Sequence, residues 1–308
     1  MLEKIENLTI NQLKKTNYKT ILLQLPEGLK TYSTRLIEFL ENRGYKVFST
    51  VEPCFGACDI PVDKAKLLKV DAIVHLGHNE FYRKITDFPV VYVPIEIDIN
   101  FKSDIDKFKQ LPEKVGIITT VQHIKSIPKI KKLLEKLNKK VFIGGQILGC
   151  WTDNAKRIEN DVDCFLYVGS GMFHPLGLRT DKKVYVYDVE KMELKNVTDL
   201  IKREERKRYA RIFNAKECNN FGIIVSTKLG QFNLKTAENI KKIIENKGKK
   251  AFIFVSDIIK KDYLSGLNID CIINTACPRL VDDDFGIPIL NVDEVLIALG
   301  DKNESFEK

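Results

Sequence analysis

The sequence predicts an α/β protein built from three homologous β/α domains, each with its own parallel sheet, in a pseudo-threefold, triangular arrangement. Two observations carry this prediction. First, "VDAIVHLGH" (Val70 to His78), "VDCFLYVGS" (Val162 to Ser170) and "IDCIINTAC" (Ile269 to Cys277) align without gaps. Each is an apolar, β-branched run opened by an aspartate, the pattern of a strand buried on both faces. Second, the same succession of strand, helix and strand patterns precedes each run, and strands alternating with helices build parallel sheets.

In chain order, the first strands of the copies are "TILLQLPEGL", "KVGIITTVQ" and "FGIIVSTKLGQ". Helical periodicity follows at 32–42, 127–137 and 234–246. Then come the second strands, "YKVFSTV", "KKVFIGG" and "KKAFIFV", a short helix, the aspartate-led third strand, and a terminal strand in "VVYVPI", "KVYVYDV" or "PILNV". Domains are placed at 1–110, 111–200 and 201–308, the last opening on a charged linking helix at 201–217. Ligands of open parallel sheets bind beyond the carboxyl ends of the strands. The functional loops are therefore expected after the first three strands of each copy, around one centre.

A length of 308 residues is by itself a prior for about two domains, which the repeat raises to three. With 44% apolar and 30% charged residues the chain has material for a sizeable core and is not disordered in composition. No apolar run reaches the roughly 18 residues of a membrane span, and the polar, periodic N-terminus has no signal-peptide stretch. A cytoplasmic protein without a membrane partner is expected. The net charge of +8 reads as a lysine-rich solvated surface. Without an RNA-binding signature or interleaved aromatic and basic residues, no direct nucleic-acid contact is expected. Seven cysteines in a reducing compartment point to metal ligation or packing rather than disulfides.

The repeat sorts those cysteines. Cys58 lies thirteen residues before Asp71 and Cys150 thirteen before Asp163, each with a glycine one or two residues ahead. The equivalent position in the third copy is Asp257, and a cysteine appears instead at Cys277, after the third strand. Each copy thus supplies one thiol at a carboxyl strand end. Cys164 and Cys271 align with Ala72 inside a strand and read as small apolar packing residues. Cys218 reads as incidental, and Cys54 has no counterpart. Three converging thiolates suit a cubane iron–sulfur cluster with one open iron, a three-ligand zinc site, or no metal. His75 and His78 are three apart on a strand, so alternation predicts opposite faces and no shared metal.

The chain resembles the archaeal diphthamide synthase family, the 2-(3-amino-3-carboxypropyl)histidine synthases. The matching stretches are "QLPEGL", "FGACD", "HLGH", "GQILGC", "GSGMFHP", "STKLGQ" and "ACPRL", which fall in all three copies. The resemblance implies a [4Fe-4S] cluster, one per chain, with one ligand from each domain: Cys58, Cys150 and Cys277. It implies a transferase that cleaves the bond from sulfur to the methionine γ-carbon of S-adenosylmethionine. The 3-amino-3-carboxypropyl group passes to C2 of a histidine imidazole in translation elongation factor 2, the first step of diphthamide formation, and methylthioadenosine is released. Implied partners are that factor, S-adenosylmethionine, a second copy in a homodimer and an electron donor.

Other residues stand in the same loops. Glu27 and Gly28 follow the first strand, and Asp59 adjoins Cys58. Gly171 and His174 belong to the glycine-rich loop of the second copy. Ser226, Thr227, Lys228, Gly230 and Gln231 make the first loop of the third copy, placed to cradle the adenosine or methionine part. Arg279 is suited to a substrate carboxylate because its guanidinium is planar and bidentate. Two competing readings are a quinolinate-synthase-like [4Fe-4S] dehydratase and a non-catalytic subunit that only binds the elongation factor.

Overall fold

A computed structural model describes residues 1–99, 101 and 104–300; the end of the expected third domain, 301–308, lies outside them. The described chain divides into two units, one of residues 1–97 with 228–230, the other beginning at Asp98. In the first unit the order is α1 (Leu2–Leu13), β1 (Thr20–Gln24), α2 (Ser33–Glu41), β2 (Lys46–Ser49), α3 (Val62–Leu67), β3 (Ala72–Leu76) and β4 (Val90–Val93). The strands form one parallel sheet in the order β2-β1-β3-β4. Alternation along β1 divides the core. Ile21 and Leu23 pack with α1 and α2 through Ile5, Leu13, Leu36 and Leu40, whereas Leu22 packs on the other face with Val62 and Ala65 of α3.

The second unit holds two sheets. One comes from β5 (Lys114–Thr119), α4 (Ile127–Lys136), β6 (Lys140–Gln146), α5 (Asp153–Lys156), β7 (Cys164–Val168), β8 (Lys183–Asp188) and β9 (Glu193–Asn196). After the helix α6 (Thr198–Ala215), the other comes from β10 (Asn220–Ser226), α7 (Leu234–Asn246), β11 (Lys250–Ser256), α8 (Lys261–Leu264), β12 (Cys271–Asn274), β13 (Ile289–Asn291) and α9 (Val292–Ala298). Their orders, β6-β5-β7-β8-β9 and β11-β10-β12-β13, repeat the first sheet's order, with β9 added. The fold is thus α/β with three mostly parallel sheets, as the sequence predicts. β9, a charged ELKN segment, was not foreseen. It pairs antiparallel with β8, the one pairing of opposite sense among the described strands.

The repeated aspartate has a physical role. The Lys19 and Thr20 amides both donate to Asp71 Oδ2 at 2.8 Å. Lys114 N donates to Asp163 Oδ2 at 3.0 Å, and Asn219 and Asn220 N donate to Asp270 Oδ2 at 3.0 and 2.8 Å. In every sheet the carboxylate that opens the third strand caps the amides that open the first. The register follows: Ala72, Cys164 and Cys271 pair with Ile21, Val115 and Phe221. Cys164 is fully buried, as expected. Cys271 is likewise fully buried in the core, but the expectation against disulfides and the reading of Cys218 as incidental are corrected, because these two form a disulfide with Cα atoms 6.0 Å apart. Cys218 lies just before β10, and Cys271 opens the strand beside it. The polar, periodic N-terminal segment forms α1, which buries Ile5, Ile10 and Leu13. Among the described residues no helix is long and apolar enough to cross a membrane.

The linking helix α6 is fastened by its arginines. Arg208 Nε and Arg211 Nη2 reach Glu294 Oε1 at 3.2 and 3.3 Å, and Glu294 Oε2 accepts the Asn291 amide at 3.0 Å in the capping box of α9. Glu294 is fully buried.

Two outcomes are expected. Backbone hydrogen bonds hold the Asp71 and Asp270 carboxyls below their ordinary value. Their contribution is therefore complete above the unfolded carboxyl value near pH 4 and lost as pH falls through the lowered folded value. Asp71→Asn and Asp270→Asn should lower the melting temperature at neutral pH and flatten its fall below about pH 4 in acid titration. Glu294→Ala removes the buried carboxylate that Arg208 and Arg211 share, while Arg208 keeps Glu205 and Asp293, and should cost about 1–3 kcal/mol in urea unfolding.

Candidate functional site

The loops at the carboxyl strand ends carry the predicted site residues. In the first unit, Cys58 sits in a turn closed by Asp59 N donating to the Gly56 carbonyl at 3.0 Å. Lys228 Nζ pairs with Asp59 Oδ1 at 2.7 Å and lies 5.3 Å from the centre of the Phe55 ring. Gly230 N donates to the Cys58 carbonyl at 2.9 Å, and a Cβ on Gly230 would stand 2.5 Å from Cys58 Cα. Only a residue without a side chain permits that approach. Arg83 donates to the Gly230 carbonyl at 3.3 Å. Part of the "STKLGQ" loop thus packs on the Cys58 turn, a contact that sequence spacing does not reveal. Glu27 pairs with Lys30 at 2.6 Å and is mostly exposed, and Gly28 opens onto space.

Cys54 and the two histidines lie in the same unit. His75 Nε2 is 3.0 Å from His78 Nδ1, which corrects the expectation of opposite faces. Alternation fails because β3 ends at Leu76 and Gly77, at φ +83°, turns the chain back. Burial, with a smaller contribution from His78, pushes His75 down to about 3. Burial also lowers His78, opposed by a hydrogen bond with the Leu76 backbone, and pushes the Cys54 thiol up to about 11.

In the second unit, Cys150 sits in a turn closed by mutual backbone hydrogen bonds of Leu148 and Trp151, at 2.8 and 3.1 Å. Gly149 N donates to His174 Nδ1 at 3.1 Å, so the glycine-rich loop braces the cysteine turn. Gly171, at φ +74°, gives that loop its bend. Cys277 precedes a short 3-10 turn, and its carbonyl accepts Asn274 Nδ2 at 2.7 Å. The same Nδ2 donates to Asn291 Oδ1 at 2.8 Å, and Asn291 Nδ2 donates to the Pro278 carbonyl at 3.1 Å. Arg279 pairs with Asp282 at 2.6 Å and stands 5.1 Å from the centre of the Phe173 ring. Phe173 also packs against Gly149, and Gly149, Pro278 and Arg279 line one cavity of about 70 Å³. The turns of Cys150 and Cys277 are therefore neighbours.

Ser226 is fully buried at the end of β10, and Thr227 Oγ1 donates to Asp257 Oδ1 at 3.3 Å, at the position where the third copy lacks its cysteine. Gln231 accepts a hydrogen bond from Asn233 at its carbonyl. Sequence reasoning missed Asn274, Asn291 and Phe173. Asn274 left one signal, a polar residue closing an apolar strand run.

Fold and site together define an α/β protein with three repeated parallel sheets and one thiol-bearing turn at a carboxyl strand end of each. A family model described as "Putative diphthamide synthesis protein" matches residues 25–308, and the chain belongs to that family. It is 36% identical to the 2-(3-amino-3-carboxypropyl)histidine synthase of Pyrococcus horikoshii, over 96% of this chain and 90% of that one. It is 31% identical to the synthase of the same name from Methanocaldococcus jannaschii, over 92% and 83%. The crystal structure of Dph2 from Pyrococcus horikoshii with a 4Fe-4S cluster superposes with a TM-score of 0.85 at 34% identity, covering 98% of this chain and 92% of that one.

Gly230→Ala is expected to cost about 1–3 kcal/mol by overpacking against the Cys58 backbone. The denaturant midpoint measures this, and an unchanged midpoint would contradict the close approach.

Proposed function

We propose that the chain is a 3-amino-3-carboxypropyl transferase that uses S-adenosylmethionine to modify a histidine of translation elongation factor 2, at C2 of the imidazole. The observation that carries this reading is the set of three half-buried thiols, Cys58, Cys150 and Cys277, one at a carboxyl strand end of each sheet, in a chain of this family. The donor set fits a [4Fe-4S] cluster: thiolates are its usual ligands, and these three stand outside the Cys218–Cys271 disulfide. Cys58, Cys150 and Cys277 would hold the cluster, which when bound would leave one iron without a protein ligand and would supply the electron for cleavage of the bond from sulfur to the γ-carbon.

The chain's own residues then bind and orient. Arg279, steadied by Asp282 and Phe173, is assigned to the substrate carboxylate, which a guanidinium meets in a bidentate manner. Lys228, tied to Asp59 at 2.7 Å, closes the neck of the Cys58 turn with an ion pair and so fixes the place of the thiol. His174 fixes the Cys150 turn through Gly149 N. Glu27, Gly28, Gly171, Ser226, Thr227, Gly230 and Gln231 are assigned to the walls of the substrate site. The three domains, 1–110, 111–200 and 201–308, each supply one ligand. Action as a cytoplasmic homodimer with a separate electron donor completes the reading. The names of the relatives favour it over the dehydratase and the inert subunit.

Anaerobically reconstituted protein should be brown, hold about four irons per chain, and release methylthioadenosine from S-adenosylmethionine when reduced. Alanine at Cys58, Cys150 or Cys277 should abolish modification of the elongation factor. Full activity in all three variants would refute the assignment.

A further inference from the structure

Cys54, His75 and His78 form a second group of metal-type donors, and the three-cysteine site uses none of them. The Cys54 sulfur and one ring nitrogen of each histidine all lie within 4.8 Å of one another. The neighbours of His75 decide its tautomer. Gln24 Nε2 donates to the Asp59 carbonyl at 2.6 Å, which leaves Gln24 Oε1 facing His75 Nδ1 at 2.7 Å. An amide oxygen can only accept, so Nδ1 carries the proton and Nε2 presents a lone pair. That lone pair faces His78 Nδ1, 3.0 Å away.

Two ring nitrogens at the usual zinc distance of about 2.0–2.1 Å are roughly 3.3 Å apart at a tetrahedral centre, so this pair already has nearly the spacing of ligands. A ligating histidine ordinarily donates its far N–H to an oxygen acceptor, the part Gln24 plays here. The parallel register builds the brace, because Gln24 ends β1 directly beside His75 on β3. Cys54 and His75 are buried and His78 is half-buried, so a bound ion would be largely shielded yet reachable. Two imidazoles and a thiolate are a borderline-soft set, which selects zinc over magnesium or calcium.

We propose that Cys54 Sγ, His75 Nε2 and His78 Nδ1 form a zinc site with a fourth position open to water or a substrate atom. The alternative is a His78 N–H donated to His75 Nε2 beside a packed thiol. The site is independent of the iron–sulfur assignment, and the test keeps the two apart. Full-length protein with Cys58, Cys150 and Cys277 all replaced by alanine is titrated anaerobically with Co(II), then with Zn(II). The expected result is one Co(II) per chain, with tetrahedral d–d bands and a sulfur-to-metal charge-transfer band, displaced by zinc. Cys54→Ser should remove the charge-transfer band and weaken zinc binding at least tenfold, and Gln24→Ala should weaken it about 10–100-fold. His78→Ala, at a half-buried position, gives a second ligand variant with less risk to folding. Absence of the Co(II) bands in the parent, or unchanged bands and affinity in both Cys54→Ser and His78→Ala, overturns the proposal.

Discussion

One interaction recurs at the entrance of every sheet: an aspartate carboxylate that receives the amides at the start of the neighbouring strand. Asp71 receives Lys19 and Thr20, Asp163 receives Lys114, and Asp270 receives Asn219 and Asn220. A parallel pairing has no hairpin to fix its register. A charged acceptor that satisfies the first amides of one strand from the head of the next supplies that fix. A shift of one residue would take the amides out of reach and turn buried side chains to the wrong face. With the amino ends keyed, the carboxyl ends fall at defined places, and the turns of Cys58, Cys150 and Cys277 grow from there.

The turns are stiffened by different means. The Cys58 turn is pressed by Gly230 and neutralised by the Lys228–Asp59 pair. The Cys150 turn is closed by its own backbone and by His174. The Cys277 turn hangs on a chain of asparagine amides, Asn274 to Asn291 to the Pro278 carbonyl. A repeat can thus retain sheet geometry while its loops diverge. Buried sheet positions are restricted by packing, whereas a turn needs only some set of donors and acceptors that closes it.

Cys54 and Cys58, four residues apart, end in different settings. Cys58 is half-buried on its turn, while Cys54 is buried beside the two histidines. The Gln24 side chain joins the settings, since its two ends reach the Asp59 carbonyl and His75. One amide thereby fixes both the turn after β2 and the tautomer of the histidine on β3.

The sequence by itself determined the three repeats, their strands and principal helices, the aspartate-led third strands, and the separation of strand-end thiols from the packed Cys164. Those features rest on local periodicity and on spacing within a copy, and both are written along the chain. The tertiary structure decided what depends on residues distant in sequence. It paired Cys218 with Cys271, set Lys228 against Asp59, brought Gly230 onto Cys58, and folded His78 back onto His75. It also added β9, whose charged ELKN pattern reads as a loop until β8 offers an open edge. The physical reason is the same in each case: a side chain's partner is chosen by the crossing of chain segments, and a linear pattern records which faces are apolar but not which segments cross.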